Sequence, residues 1–407
     1  MWGISLCSAC APTAGPNGLS RPAHSLQAED LVSVEKGRER GRRQQLLPVR
    51  PMSTRPIISP LLGEPGAVAA DGPDAGVAAH YGDPYAEQRA LASRWAVVDR
   101  SNRGVVRITG ADRLSWLHSL TTQRLEQLAP GASAEALVLS PQGHVEHHLT
   151  LTDDGSATWV HVESGTAGAL AEFLTSMRFM LRVEPEDVSA DYAVVTLLGP
   201  DVPAPSGEQP SRGQALPGTR VEAGFGTDLI VPRPGLYAIV ADLRSAGAAL
   251  AGTWAYEALR IAAGRLRIGL DTDHRTIPHE VGWIDTAVHL NKGCYRGQET
   301  VARVHNLGHP PRRMVLLHLD GSEDRLPSPG DQVMLDGASV GFAGSAARHY
   351  ELGPIALALV KRTTPVTATL QVDQIAAAQE VLVSPDAGAN VQIQFKRQRG
   401  GLTGRVR

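Results

Sequence analysis

Cysteine is scarce in this chain. There are three in 407 residues, and two of them, Cys7 and Cys10, lie at the extreme N-terminus. Cys294 is therefore the only thiol in the part expected to fold, which excludes a disulfide framework. One cysteine also argues against a permanently held iron–sulfur cluster, which needs about four thiolate or mixed ligands. His289, His305 and His309 lie near it in sequence without zinc-ligand spacing, so no stably bound metal is expected. Cys7-Ser8-Ala9-Cys10 is a C-x-x-C with no βα context and no second pair. Lysine is equally rare: Lys36, Lys292, Lys361 and Lys396 are the only ones, so arginine supplies nearly all of the positive charge. The formal net charge of −3 gives no basic field of the kind a nucleic-acid binder or a polybasic membrane binder uses. No apolar run approaches the ~18–20 residues that span a bilayer. The first residues lack the basic region and long apolar core of a secretory signal, so a reducing cytoplasm is the expected setting.

What remains is ordinary for a globular protein, with 42% hydrophobic and 20% charged residues. The length allows two or three packed units. Residues 1–75 read as a disordered extension, carrying Pro, Gly, Ser and an arginine run without sustained periodicity. Met52 is a candidate alternative start. Folded character begins near Tyr81. Trp95–Asp99 and Val105–Ile108 read as strands, and Asp112 as the N-cap of a helix whose apolar face runs from Leu114 to Leu128. Glu135–Leu139, His144–Thr152 and Thr158–Glu163 read as strands, Thr166–Met177 as a helix, and Tyr192–Leu198 as a strand. Pro203–Gly218 is a loop. Asp228–Val231 and Leu236–Val240 then read as strands, and Leu243–Leu250 and Thr253–Ala263 as helices. Strand and helix mix without regular βαβ repetition, which predicts an α+β fold. Met314–Leu319, Gln332–Leu335, Ser339–Ser345, Ile355–Val360 and Thr367–Val372 are short strands, with Asp336-Gly337 suiting a two-residue hairpin. Residues 386–407 form a basic tail that reads as solvated.

One stretch stands out, Asn291 to Thr300. Gly293 and Gly297 flank Cys294, and glycines so placed permit φ > 0 or a close backbone approach. A partly exposed thiol beside Lys292 and Arg296 is biased toward thiolate. Gln298 and Glu299 add an amide and a carboxylate. Spacing alone supports only a specialised loop. The run Lys292-Gly293-Cys294-Tyr295-x-Gly297-Gln298-Glu299, continued by Arg303, resembles the signature of the YgfZ family. These are folate-binding proteins related to the T-protein (aminomethyltransferase) of the glycine cleavage system. The resemblance covers about residues 77–385.

That resemblance implies a T-protein-like core of two similar α+β halves around a central channel (76–165 and 166–310), followed by a small β-barrel (311–385). It implies tetrahydrofolate or a one-carbon derivative in the channel. It also implies a role as a cytoplasmic accessory factor for assembly or repair of iron–sulfur enzymes, including cluster-dependent tRNA-modifying enzymes. The expected partners are reduced folate and iron–sulfur enzymes or cluster-assembly factors, with no direct nucleic-acid or membrane binding. Cys294 would be the functional thiol, tuned by Lys292. Gly293, Tyr295 and Gly297 would shape the loop, and Gln298, Glu299 and Arg303 would fix it. Ile277-Pro278-His279-Glu280, after a helix carrying Arg260, resembles the T-protein segment whose glutamate contacts the pterin. A carboxylate accepts two parallel N–H bonds from an amino-pyrimidine edge, so the role passes to Glu280, with Arg260 as a second ligand candidate. Arg312 and Arg313 read as charged linker surface.

One departure is decisive. Where aminomethyltransferases carry two adjacent aspartates, this chain has His147 and His148. Imidazole supplies no fixed negative charge for an iminium-like transition state, which disfavours glycine cleavage chemistry. Adjacent strand residues point to opposite faces, so one histidine at most faces the channel; His147 is a cofactor-binding candidate, and which of His147 and His148 faces the channel stays open. The alternative function is a folate-dependent, aminomethyltransferase-like one-carbon transferase acting on a small amine.

Overall fold

The computed structural model describes residues 56–200, 202, 219–221 and 225–388. Cys7, Cys10, Met52, the whole Pro203–Gly218 loop and nearly all of the basic tail lie outside the described residues.

Structure begins well before Tyr81. Residues 56–75, expected as part of a disordered extension, hold a 3-10 turn (Pro60–Gly63), strand β1 (Val68–Ala69) and a second turn (Gly72–Asp74). Leu61 is buried beside Trp95 and Val97, and Asp74 pairs with Arg267 at 2.8 Å. Single anchors of this kind leave no periodicity to read. Strand β2 (Ala78–His80) pairs with β1. Helix α1 (Pro84–Ser93) follows, capped by Asp83, whose carboxylate accepts from the amides of Tyr85 and Ala86.

Strand β3 (Ala96–Asp99) leads to β4 (Gly104–Thr109), α2 (Arg113–Leu120), β5 (Ser133–Leu139), β6 (Val145–Asp153), β7 (Ala157–Val162), α3 (Ala167–Ser176) and β8 (Glu184–Asp187). An antiparallel sheet forms in the order β5-β6-β7-β4-β8. Leu149 and Leu151 of β6 bury against Leu117 of α2 and Leu170 and Leu174 of α3. Helix α2 ends at Leu120 rather than reaching Leu128, and Leu125 is buried from a loop. Asp112 does not cap it through its side chain. Its carboxylate takes the Arg182 guanidinium at 2.7 and 3.0 Å instead.

The second sheet uses β9 (Tyr192–Leu198), β10 (Thr219–Val221), β11 (Thr227–Pro232) and β12 (Ala249–Ala251). Its order is β10-β11-β9-β3-β12. Strand β3 thus belongs to the second sheet although it precedes the first in the chain, so the halves interleave and no clean cut falls near residue 165. Leu236–Val240, expected as a strand, lies in helix α4 (Leu236–Ser245). Leu236, Ile239, Val240 and Leu243 bury at helical spacing against this sheet. The expected helix Leu243–Leu250 does not form, because the chain turns at Gly247 (φ +105°) into β12. Helix α5 (Thr253–Ala262) appears as expected.

Past α5 lie a 3-10 turn (Pro278–Val281), α6 (Trp283–Thr286) and α7 (Gln298–Leu307). The closed barrel comprises β13 (Arg312–Leu319), β14 (Gln332–Leu335), β15 (Ala338–His349), β16 (Gly353–Lys361), β17 (Leu370–Val372) and β18 (Ile375–Val381), in the order β13-β16-β15-β14-β17-β18. Asp336 and Gly337 both take positive φ, 50° and 80°, as a two-residue hairpin between right-twisted strands requires. The alanine-rich β18 was not predicted. Among the described residues no helix is long and apolar enough to cross a membrane.

Candidate functional site

The two sheets and the barrel enclose a cavity of about 240 Å³. Strands β5–β7 form one wall, β11 and α5 another, and Trp283, Met314, Leu382 and Val383 close the barrel side. The phase of β6 decides which histidine faces it. His147 shares a face with Leu149 and Leu151, which pack on the helices, and its ring lies 6.4 Å from Phe173. His148 and Thr150 line the cavity. The ligand-facing position assigned to His147 therefore falls to His148. Burial lowers the His147 pKa to about 4, so it is neutral at ordinary pH.

The polar wall is a continuous ion network. Arg267 bridges Asp74, Glu163 and Glu257 at 2.8, 2.9 and 3.1 Å. Glu163 also takes Arg103 at 2.8 Å. Arg103 Nε donates to His161 Nδ1 at 3.0 Å, and His161 Nε2 stands 2.8 Å from Asp228, which ties β7 of one sheet to β11 of the other. Arg100 completes this end, 3.5 Å from Asp228 and with its guanidinium 4.3 Å from the centroid of the Tyr256 ring. Burial alone would raise the Glu163 pKa, but the Arg103 and Arg267 guanidiniums outweigh it and hold it well below the usual range. Asp228 and Glu257 are likewise brought to about 2, against burial, by His161 and by Arg260 respectively. The carboxylate and guanidinium charges are fixed across the physiological range, so this wall holds shape and field rather than moving protons.

His148 differs. Its ring stacks on Trp283 with centroids 4.6 Å apart and planes inclined by 17°. Its Nε2 is buried without a hydrogen-bond partner and faces Glu135 at 3.7 Å. Glu135 is in turn paired with Arg265 at 3.0 Å.

The residues singled out in the sequence are placed elsewhere. Glu280 is fully buried, and Arg312 grips it with Nε and Nη2, both at 2.8 Å, while Nη1 binds Asp273 at 2.7 Å. The fork geometry expected for a pterin edge is thus used by a guanidinium, and Glu280 is not part of the cavity lining. Arg312 is a buried-pair residue rather than linker surface, and Arg313 is fully buried, donating to Thr364 O and Gln379 inside the barrel. Arg260 does line the cavity, yet its guanidinium is committed to Glu257, Asp271 at 3.1 Å and Ser345 at 2.6 Å.

The motif loop divides by direction. The Lys292 ammonium donates to the carbonyls of His118, Thr121 (2.5 Å) and Gln123 (3.2 Å), closing the C-terminal end of α2 where helix carbonyls lack partners. Burial draws its pKa down to about 8, so it keeps its proton at neutral pH and serves as a clamp. Tyr295 is buried in the core beneath it. Gly297, at φ +81°, lies against the β5–β6 turn: a Cβ there would stand 2.6 Å from Ser140 O and 2.9 Å from Gly143 Cα. Gln298 reaches Lys292 O at 3.5 Å. Cys294 is exposed and outside the cavity lining, and Glu299 and Arg303 form an exposed pair at 3.5 Å. Gly293 has open space around it. Among the described residues no group of three or more His, Cys, Asp or Glu could hold a metal ion.

This arrangement of two sheets and a six-stranded barrel has a counterpart among known folds. Residues 77–204 match the family model of the GCVT N-terminal domain. The T-protein-like fold extends beyond that match. The chain superposes on the glycine cleavage system aminomethyltransferase T of Bartonella henselae with a TM-score of 0.66 at 17% identity, covering 79% of this chain and 94% of that one. By sequence it is 26% identical to a chloroplastic protein of Arabidopsis thaliana that carries a transferase name, over 64% of this chain and 65% of that protein. It is 27% identical to an aminomethyltransferase of Nostoc sp., over 67% of this chain and 79% of that one. It is 26% identical to the mitochondrial iron-sulfur cluster assembly factor IBA57 homolog of Mycosarcoma maydis, over 55% and 57%. The match thus spans less than two thirds of the Arabidopsis and Mycosarcoma relatives.

Proposed function

We propose that this chain is a folate-binding accessory protein of the YgfZ type, acting in a cytoplasmic setting in the assembly or repair of iron–sulfur enzymes, cluster-dependent tRNA-modifying enzymes among them. The observation that carries the reading is the cavity, with one flat aromatic wall and one charged wall, at the junction of a T-protein-like fold. The signature around Cys294 and the iron–sulfur name of the Mycosarcoma relative support it.

The cavity fits a reduced folate in part. Its volume of about 240 Å³ falls just short of the ~300–1,000 Å³ of sites that enclose drug-sized ligands. It suits a bicyclic head, with the aminobenzoyl-glutamyl tail left to pass outward. Trp283, with His148 stacked on it, would give the lining an aromatic side, and Tyr256 and Phe225 also line the cavity. Arg265 is the most exposed cavity arginine, at a third, and is the candidate for the tail carboxylates. Bound tetrahydrofolate would supply ring nitrogens able to carry a one-carbon unit. The protein's own residues stack on it, shield it from water and surround it with charges that stay fixed. The transferase alternative gains nothing from the wall, where Glu135, Glu163 and Asp228 are each paired with an arginine. Cys294, exposed on the motif loop, is the residue proposed to meet a partner or client.

The test has two arms. Tetrahydrofolate is titrated into the purified protein, and Trp283→Leu is expected to weaken binding at least tenfold. In a strain lacking the gene, the activity of a four-iron, four-sulfur enzyme is measured after complementation with wild type or Cys294→Ala. Lost activity restored only by wild type supports the assembly role and places Cys294 in it. Undiminished activity in the deletion strain under oxidative stress overturns that role, and conversion of the folate on incubation would favour the transferase.

A further inference from the structure

We infer that His148, oriented by Glu135, is the specificity-determining acceptor of the central cavity and selects a ring-reduced folate over the oxidised vitamin; the inference rests on the folate reading above. The cavity is rich in donors and poor in free acceptors. Its arginines donate into the ion network, and the carboxylates of Glu163 and Asp228 are consumed by it. His148 lies outside that network. Strand pairing sets Leu137 opposite His148 and Glu135 opposite Thr150, so Glu135 is the diagonal neighbour of His148 on the same sheet face. Glu135 is buried and anionic, with one oxygen on Arg265 Nη2 at 3.0 Å and the other 3.7 Å from His148 Nε2. At that distance no hydrogen bond exists yet, but contacts of this kind tighten when a ligand fills the site.

A carboxylate beside one ring nitrogen of histidine places the proton on that nitrogen and leaves the other as a lone-pair acceptor. Here the proton belongs on Nε2, so Nδ1 is the acceptor. Stacking on Trp283 fixes the plane of the imidazole, so the acceptor has a defined direction. Its natural complement is a flat ring edge carrying an N–H. Tetrahydrofolate has ring N–H groups at positions where folic acid has only bare, lone-pair nitrogens. A bare nitrogen facing Nδ1 sets two acceptors against each other, and a site built to bond a hydrogen rejects the analogue lacking it. Glu135 acts here as a positioning residue, because its effect on the ligand passes through the imidazole.

The experiment compares dissociation constants of tetrahydrofolate and folic acid by isothermal titration on the full chain, anaerobically, for wild type and three variants. Wild type is expected to favour the reduced form by tenfold or more. His148→Leu and Glu135→Gln should bring the ratio close to one. In Glu135→Gln the amide oxygen accepts from Arg265 while its NH₂ faces Nε2, which moves the imidazole proton to Nδ1. His148→Asn keeps a carbonyl oxygen near the Nδ1 position and should retain most of the preference, which a merely structural role would not do. A ratio unchanged in His148→Leu, in protein whose melting curve shows it folded, overturns this inference alone. Failure of wild type to bind either folate overturns both it and the folate reading.

Discussion

Two glycines of the motif loop look alike in sequence, and the structure separates them. Gly297 has φ +81°, and an added Cβ would lie 2.6 Å from Ser140 O, 2.9 Å from Gly143 Cα and 3.1 Å from Leu139 Cβ. A Cβ added at Gly293 would meet nothing within 4 Å beyond its chain neighbours. Alanine at Gly297 meets two costs: left-handed backbone for a residue with a Cβ, about 1–2 kcal/mol, and displacement of the packed β5–β6 turn, about 1–3 kcal/mol. Together they come to roughly 2–5 kcal/mol. At ~2–4 °C per kcal/mol this is a fall in melting temperature of about 4–20 °C. Gly293→Ala should stay within ~0.5 kcal/mol. Differential scanning calorimetry on wild type and both variants reads the contrast directly. Tetrahydrofolate affinity, measured below the lower transition, should hold in Gly297→Ala, because Gly297 is not part of the cavity lining. Equal effects of the two substitutions, or a Gly297→Ala shift under ~2 °C, would refute the view that Gly297 is there for backbone packing.

Lys292→Met removes an ammonium shared by three carbonyls; unpaired buried groups cost about 1–3 kcal/mol, visible as a lower urea midpoint at an unchanged slope. Glu163→Gln strips the buried Arg103 and Arg267 of a shared counter-charge, and breaking such a pair costs about 3–5 kcal/mol, which chemical denaturation will report. Burial lowers the pKa of His147 to about 4, and burial followed by the His305 charge does the same for His279. An unfolded histidine protonates near ~6.5, so the unfolded state binds the extra protons first as pH falls. Stability is complete above that value and declines between about pH 6.5 and 4, by up to about 3 kcal/mol per residue. Denaturant melts at pH 7 and 5 should show the decline, and His147→Phe should flatten its share.

The α+β character and most strands were legible because burial on one sheet face writes a period of two, whereas the closure of the last strands into a barrel was implied by the family resemblance. Leu236–Val240 misled because a five-residue apolar run fits either period. Extending the window to Leu243 reveals the spacing of α4, with Leu236, Ile239, Val240 and Leu243 on one face. Strand β18 hid in Ala376, Ala377 and Ala378, where the inward Ala377 scarcely differs from its exposed neighbour. The choice between His147 and His148 is open on residue type alone, but strand phase carries it: Leu149 and Leu151 are in phase with His147 and assign it to the core face. The ion network was not available as a motif. Asp74, Arg103, His161, Glu163, Asp228, Glu257 and Arg267 are scattered along the chain, and only the fold brings them together. Their trace in the sequence is weaker: charged residues such as His161 and Asp228 interrupt otherwise apolar strands. Glu280 and Lys292 were conspicuous as unusual residues in unusual places, but position along the chain could not show that Arg312 and three carbonyls already occupied them.

The placement of β3 bears on how the chain is made. Ala96 pairs with Leu198 and with Ala249, about 100 and 150 residues later. At synthesis rates of ~5–20 residues per second, a nascent β3 waits on the order of 5–30 s for its neighbours. Over most of that interval the first sheet is itself still being made, its last strand ending at Asp187 just before β9, and Val97 and Val98, fully buried in the finished protein, emerge from the ribosome without their sheet partners. Ribosome-bound intermediates of intermediate length should therefore be the ones that engage holding chaperones, and a chain cut after the first sheet should carry a sticky strand rather than an independent half.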